Sequence, residues 1–138
     1  LDTSSVTNIS SIFNYCYSLV AVPQFNTSSV TNMGYMFSTC RSLTSVPLLD
    51  TSSVTNISSI FNYCYSIQTA NMQNLKKSLD ISMTSLLIKE SLLYIINNEA
   101  ATSPITITLS AYCYNKYNTD EEVTAALANH PNVSLASV

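Results

Sequence analysis

The sequence predicts an α/β solenoid: a right-handed coil of short parallel strands and short helices, about five coils long. Three observations predict it. The run Thr-Ser-Ser-Val-Thr-Asn begins at Thr3, Thr27 and Thr51, a spacing of 24 residues. Residues 1–18 return without a change at residues 49–66. Within each unit a polar cluster, an apolar stripe at helical spacing and a short Leu/Val-rich run follow in the same order.

The stripe consists of Val6, Ile9, Ile12, Phe13 and Cys16, then Val30, Met33, Met36, Phe37 and Cys40, then Val54, Ile57, Ile60, Phe61 and Cys64. Spacings of three and four place these side chains on one face of a short helix. The Ser/Thr/Asn cluster before each stripe offers N-cap oxygens to the first free amides. After each stripe come Leu19-Val22, Leu43-Val46-Leu48 and Ile67-Ala70-Met72. Runs of this kind match the strand of a leucine-rich repeat, which lines the concave side of a horseshoe. Pro23 and Pro47 fall at the expected ends of their strands, where a missing N–H keeps the strand short. One unit alone buries neither stripe nor strand; stacked copies create a continuous core.

Beyond Gln73 the strict period is lost but the alternation of elements persists. Residues 78–83 and 105–109 read as strands, the second by alternation of Ile and Thr. Residues 88–99 carry Leu92, Leu93, Ile95 and Ile96 on one helical face. Thr119 followed by Asp120, Glu121 and Glu122 starts a further helix, because carboxylates favour the positive end of the dipole. That helix carries Val123, Ala126 and Leu127, stops before Pro131, and residues 133–138 give a last strand. The whole chain, 1–138, is thus read as one solenoid, with three regular units over 1–73 and longer, irregular coils and a cap over 74–138. The alternative is a separate small α/β domain over the second half. Residues 72–79 hold either one strand or a turn between two.

Composition narrows the function. Of 138 residues, 46% are hydrophobic and only 9% charged, and mean hydropathy is +0.20, the reverse of a disordered chain. Net charge is −3 and the five basic residues form no patch, which argues against nucleic acid. The longest apolar run is broken at Lys89, Glu90 and Ser91, short of a bilayer span. Leu1 opens in mid-repeat without a polar cap. The first unit is therefore expected to expose core side chains, to follow upstream repeats, or to associate end to end.

The unit Leu1-Asp2-Thr3-Ser4-Ser5-Val6-Thr7-Asn8, followed by Ile12-Phe13 and Cys16, resembles the BspA-like leucine-rich-repeat surface proteins of bacteria. The middle copy, with Met33, Met36, Phe37 and Cys40, matches their pattern best. The resemblance covers about residues 1–73. Residues 86–138, with Lys89-Glu90-Ser91-Leu92-Leu93-Tyr94 and His130-Pro131-Asn132-Val133, look like the C-terminal part of repeat proteins from gut bacteria and their phages. The resemblance implies surface display and adhesion, not catalysis. Near-absence of glycine (only Gly34) and of a sorting segment departs from the family.

Candidate chemistry is sparse. Cys16, Cys40 and Cys64 are repeat equivalents and read as a ladder of buried thiols. Three equivalents cannot pair off as disulfides, and the spacing of a zinc site is missing. Cys113 would need His130, the only histidine, as a base; His130 reads more simply as a helix C-terminal cap. Asp2 and Asp50 are repeat equivalents with a turn role, and Asp120-Glu121-Glu122 is a helix start and solvated face. Asn8-Ile9-Ser10 and Asn132-Val133-Ser134 are sequons of the kind chance supplies in a Ser- and Asn-rich chain.

Two surfaces remain. Tyr15, Tyr17, Tyr35, Tyr63 and Tyr65 follow the repeat and offer either an aromatic contact row or a shield over the core edge. Strand alternation directs Ala21, Pro23 and Phe25, then Ser45, Pro47 and Leu49, then Thr69, Asn71 and Gln73 away from the core, onto the concave face. The expected function is a non-catalytic, cofactor-free binding module of a bacterial surface protein, adhering to host proteins, glycans or other cells through that face. A structural spacer or assembly repeat of a phage tail or cell envelope is the alternative. The expected location is accordingly the cell surface or extracellular space, or else the virion.

Overall fold

The computed structural model describes residues 3–138, so expectations resting on Leu1 and Asp2 lie outside the described residues. The fold is mixed α/β, with two parallel sheets and three helices. Strands β1 (Ser45–Asp50) and β2 (Thr69–Gln73) form the first sheet. Strands β3 (Leu79–Ile81), β4 (Ile105–Leu109) and β5 (Val133–Ser137) form the second. Helix α1 (Lys89–Asn97) connects β3 to β4; α2 (Ala111–Tyr117) and α3 (Glu121–Asn129) connect β4 to β5. Parallel neighbours require such crossovers, which cover one face of the sheet.

The three 24-residue units stack, but not through helices. No helix precedes Lys89 among the described residues, which corrects the expectation of a short helix in each unit. The apolar stripe instead runs through consecutive turns. Asn14 N–H donates to Ser11 O at 3.0 Å and Cys16 N–H to Phe13 O at 3.1 Å, each three residues back. The residues between donate onward to the next unit: Ser11 N–H to Gly34 O, Phe13 N–H to Met36 O and Tyr15 N–H to Ser38 O. Unit two repeats this toward unit three, with Tyr35 on Ser58, Phe37 on Ile60 and Thr39 on Asn62. A helix directs every N–H along its own axis and cannot do this.

The turns need a positive φ at every fourth residue: Ser11 and Tyr15, Tyr35 and Thr39, Ser59 and Tyr63, all between 53° and 65°. A period of four repeated only twice presents Ile9, Phe13 and Ile12, Cys16 on one side, as a 3.6-residue period also does. That is why the stripe reads as a helix.

Stacking puts like on like. Phe13, Phe37 and Phe61 lie face to face, with ring centroids 5.5 and 6.0 Å apart. The Oγ1 atoms of Thr27 and Thr51 donate to Asp50 O and Gln73 O in the following unit. Asn56 Nδ2 donates to Asn32 Oδ1 at 3.0 Å, while each Asn Oδ1 also accepts the N–H two residues on. Met36 and Ile60 are fully buried, but Ile12, their first-unit counterpart, is 58% exposed. The first unit thus exposes core side chains. Val6, Ile9, Ile12, Phe13 and Phe25 line an open apolar recess of about 380 Å³.

The strand runs are partly as expected. Residues 45–50 and 69–73 form strands, whereas the first unit contributes only a bridge from Ala21 to Ser45. Pro47 lies inside β1 rather than at its end. Its missing N–H coincides with a bulge: Val46 pairs with Ala70, but Leu49 pairs with Met72. Beyond β2 the sheet stops because the approach to α1 takes the edge. Ala70 N–H donates to Ser91 Oγ at 2.8 Å and Ile88 N–H to Gln68 O at 3.0 Å.

Asn74, with φ 58°, turns the chain out of β2, and a bridge from Leu75 to Glu99 precedes β3. Residues 72–79 therefore hold a turn between two strands. In the second sheet Leu79 pairs with Ile107 and Ile105 with Val133, 28 residues apart in each case. A repeat thus persists past residue 74 at a longer period. One cluster of buried side chains runs from Ile9 to Val133.

Candidate binding surfaces

The nine strand-face residues divide. Ala21, Pro23 and Ser45 are exposed, and Pro47, Thr69, Asn71 and Gln73 are half-buried. Leu49 is fully buried, against its expected outward placement. The bulge at Pro47 and Leu48 inserts one residue into β1, and a one-residue slip sends every later side chain to the opposite face. Phe25, its first-unit equivalent, packs half-buried against the core. Asn71 Oδ1 accepts from Ser91 Oγ, which fixes it toward α1. What remains open is a shallow groove of about 180 Å³ between Gln24, Asn26, Leu48, Asp50 and Gln73.

Asp50 anchors this groove. Its Oδ1 accepts from Asn74 Nδ2 at 3.0 Å and from Ser52 N–H at 2.9 Å. Partial burial alone would raise its pKa, but these hydrogen bonds outweigh it and hold the carboxyl below its ordinary value.

The thiols form the expected ladder. Cys40 and Cys64 are buried and Cys16 half-buried, all three unpaired. Cys40 Sγ donates to Phe13 O and Cys64 Sγ to Phe37 O, each in the preceding unit. Burial pushes the Cys40 thiol up to about 11 and Cys64 to about 12. Cys113 is buried with its Sγ toward Thr84 O at 3.9 Å, while His130 Nδ1 lies 3.1 Å from Glu99 Oε1. The two candidates are thus engaged with other groups.

Asp120 caps α3, accepting from the N–H groups of Glu122 and Val123, and with Glu122 it pairs to Lys89. Helix α2 was not legible: Ala-Tyr-Cys-Tyr-Asn-Lys-Tyr lacks a clean amphipathic pattern. The signal that could have found it is Ser110, whose side chain accepts from Cys113 N–H as an N-cap. Among the described residues no group of three or more His, Cys, Asp or Glu is placed to hold a metal ion. No helix of the described residues is long and apolar enough to cross a membrane.

Tyr15, Tyr17, Tyr35, Tyr63 and Tyr65 are all exposed, as are Ile12 and Val20. Tyr15 and Tyr17 meet edge to face at 6.1 Å, Tyr63 and Tyr65 likewise at 6.3 Å, and Arg41 lies 5.3 Å over the Tyr17 ring.

A family profile described as "Mycoplasma protein of unknown function, DUF285" matches residues 1–92, compatible with BspA-like surface repeat proteins. No curated protein and no solved structure matches the chain. With two thirds of its length so matched, the chain belongs to the DUF285 family.

Proposed function

We propose that this chain is a non-catalytic binding module of a surface-displayed repeat protein, built as a leucine-rich-repeat-like solenoid whose longer second half closes the stack. The observation that carries the reading is how the units use their side chains. Thr, Asn, Cys and Phe ladders are consumed in joining unit to unit, while exposed Tyr, Pro, Ser and Gln remain on the outer surfaces. Such a surface is rigid and nearly uncharged, and it suits adhesion to a protein or glycan better than to a phosphate backbone. The likeness to BspA-like proteins supports a cell-surface location. The likeness of the second half to phage and gut-bacterial repeats is weaker support for a virion.

The test is to pass extracellular-matrix proteins and mucin over the immobilised chain, beside a strand-face variant carrying Pro23→Glu, Ser45→Glu and Gln73→Glu. Retention by the native chain supports the module, and its loss in the variant places the site on the strand face. No retention by either form removes the reading.

One observation favours a second reading, a spacer or assembly repeat. The recess around Ile12, Phe13 and Phe25 exposes the apolar side chains that units two and three bury between neighbours. Sedimentation showing concentration-dependent association, abolished by Ile12→Glu, would move the weight to that reading.

A further inference from the structure

Between residues 3 and 49 one charged side chain occurs, Arg41. It stands where units one and three carry Tyr17 and Tyr65, its equivalents 24 residues away on either side. The guanidinium lies 5.3 Å over the Tyr17 ring, and Arg41 O accepts from Ser66 Oγ at 2.8 Å, beside Tyr65. Arg41 therefore sits in one row between the two tyrosines, with successive units about 5 Å apart. Tyr15 and Tyr63 meet Tyr17 and Tyr65 edge to face, at 6.1 and 6.3 Å.

The fold uses neither the charge nor the rings. All five side chains are exposed, the four tyrosines by 47–62%. The guanidinium, with its fork of N–H donors, makes no hydrogen bond or ion pair among the described residues. Tyr15 and Tyr63 hold φ 61° and 58°, a region that bulky side chains enter at a cost, and burial does not repay it. Strain kept without burial points to use at the surface.

The partner must bring an anion for Arg41 and a flat apolar face for a tyrosine. The recesses around Ile12, Gln24, Ser59 and Ile88 include none of these five side chains, so they give no socket here for the buried anchors of a protein. A sugar needs no socket, because its C–H face lies directly on an exposed aromatic ring. One cation also suits one carboxylate better than a run of phosphates. Tyr17 already carries the guanidinium, and among the described residues no cation lies over Tyr65. Tyr65 is thus the ring left open for stacking.

We propose that Tyr65, Arg41 and Tyr17 form a site for a uronic acid unit of an acidic polysaccharide. The pyranose lies on Tyr65 and its carboxylate meets Arg41, which Tyr17 holds in place. In a glucuronate chair the carboxylate is equatorial, in line with the ring, so a ring lying on Tyr65 extends it along the row. A glycosidic sialate carries its carboxylate axially and directs it off the row. The site is on the turns, and it extends the reading of the chain as a binding module to a face separate from the strands.

The test is titration of tyrosine fluorescence, unobscured because the chain has no tryptophan, with cellouronate hexamer and with cellohexaose. The two share ring and linkage and differ only at C6, a carboxylate against a hydroxymethyl group. The native chain should bind the uronate about 10-fold more tightly or better, and added salt should narrow the gap. Arg41→Gln should bring the uronate down to the level of cellohexaose. Arg41→Lys should fall between, since it keeps the charge without the fork. Tyr65→Ala should weaken the uronate by about 10-fold. Thermal midpoints near the native value separate a lost site from a lost fold, and the strand-face variant should bind the uronate as the native chain does.

The site is overturned by equal affinity for the two sugars, or by uronate binding that survives Arg41→Gln in a folded chain. Tighter binding of sialyllactose or hexaglutamate than of cellouronate overturns it as well. Loss of the uronate in the strand-face variant, with Arg41→Gln unaffected, moves the ligand to the strands and removes this site. Binding of neither sugar removes this site too, while retention of mucin or matrix proteins decides the binding module independently.

Discussion

The backbone of Leu48 is clasped by a side chain from the preceding unit. Leu48 N–H donates to Gln24 Oε1 at 3.0 Å, and Gln24 Nε2 donates to Leu48 O at 2.8 Å. The carboxamide takes the place of a strand neighbour at the bulge beside Pro47, where backbone pairing lapses. Gln24→Leu removes both bonds, each contributing about 0.5–1.5 kcal/mol. Urea denaturation should therefore show a lower midpoint with the slope unchanged, and Gln24→Glu, which loses the donor but keeps an acceptor, should fall between. An unchanged midpoint in Gln24→Leu would mean that solvent satisfies Leu48 equally well.

The phenylalanine stack should have a weak end and a strong centre. Phe37 is fully buried between Phe13 and Phe61, so Phe37→Ala should cost about 3–5 kcal/mol. Phe13 is only half-buried, and Phe13→Ala should cost distinctly less. Thermal midpoints of the two variants decide the order, and a larger loss at Phe13 would contradict the stacking.

Thiol chemistry offers a direct reading of the ladder. Cys40 and Cys64 are buried, raised to about 11 and about 12, and bonded to carbonyls, so near pH 8 they hold almost no thiolate. Cys113 is buried as well. Native protein mixed with an aromatic disulfide reagent should release about one equivalent from half-exposed Cys16, and all four only in denaturant. Rapid release of two or more equivalents would show that the units open readily.

Much of this architecture was legible because residues 1–73 repeat so closely. A 24-residue period fixes which residues stack, so the Cys and Phe ladders and the tyrosine rows follow from the sequence alone. The conformation inside each unit was not legible. Among the described residues seven non-glycine residues hold positive φ, including Ser11, Tyr15 and Ser59, and no propensity argument places Ser or Tyr there. Tertiary hydrogen bonds to the neighbouring unit impose it. The outward placement of Leu49 failed for a different reason, since a bulge changes the parity of alternation and leaves little trace beyond Pro47 itself. In the second half, the 28-residue advance from β3 to β4 and again from β4 to β5 is visible only in strand register, because the side chains no longer repeat.

Acid should loosen the junction between the two halves through Asp50. Its folded pKa lies below the unfolded value, because bonds from Asn74 and Ser52 outweigh partial burial. A depressed carboxyl contributes stability that is present above the unfolded pKa, 3.8, and is lost as pH falls through the lower folded value. Thermal midpoints should therefore fall on acidification below about pH 4. Asp50→Asn should start lower at pH 7 and fall less, and parallel curves for the two proteins would remove Asp50 as a cause.

The measurement closest to the central claim is retention of mucin glycans and matrix proteins by the immobilised chain, run beside the strand-face triple variant. Both must first be shown folded by their thermal midpoints. The account predicts that the native chain retains at least one of these ligands and that the strand-face variant loses it. Equal silence from both folded proteins would contradict a binding module and leave the apolar recess at Ile12 and Phe13, and assembly through it, as the surface to pursue.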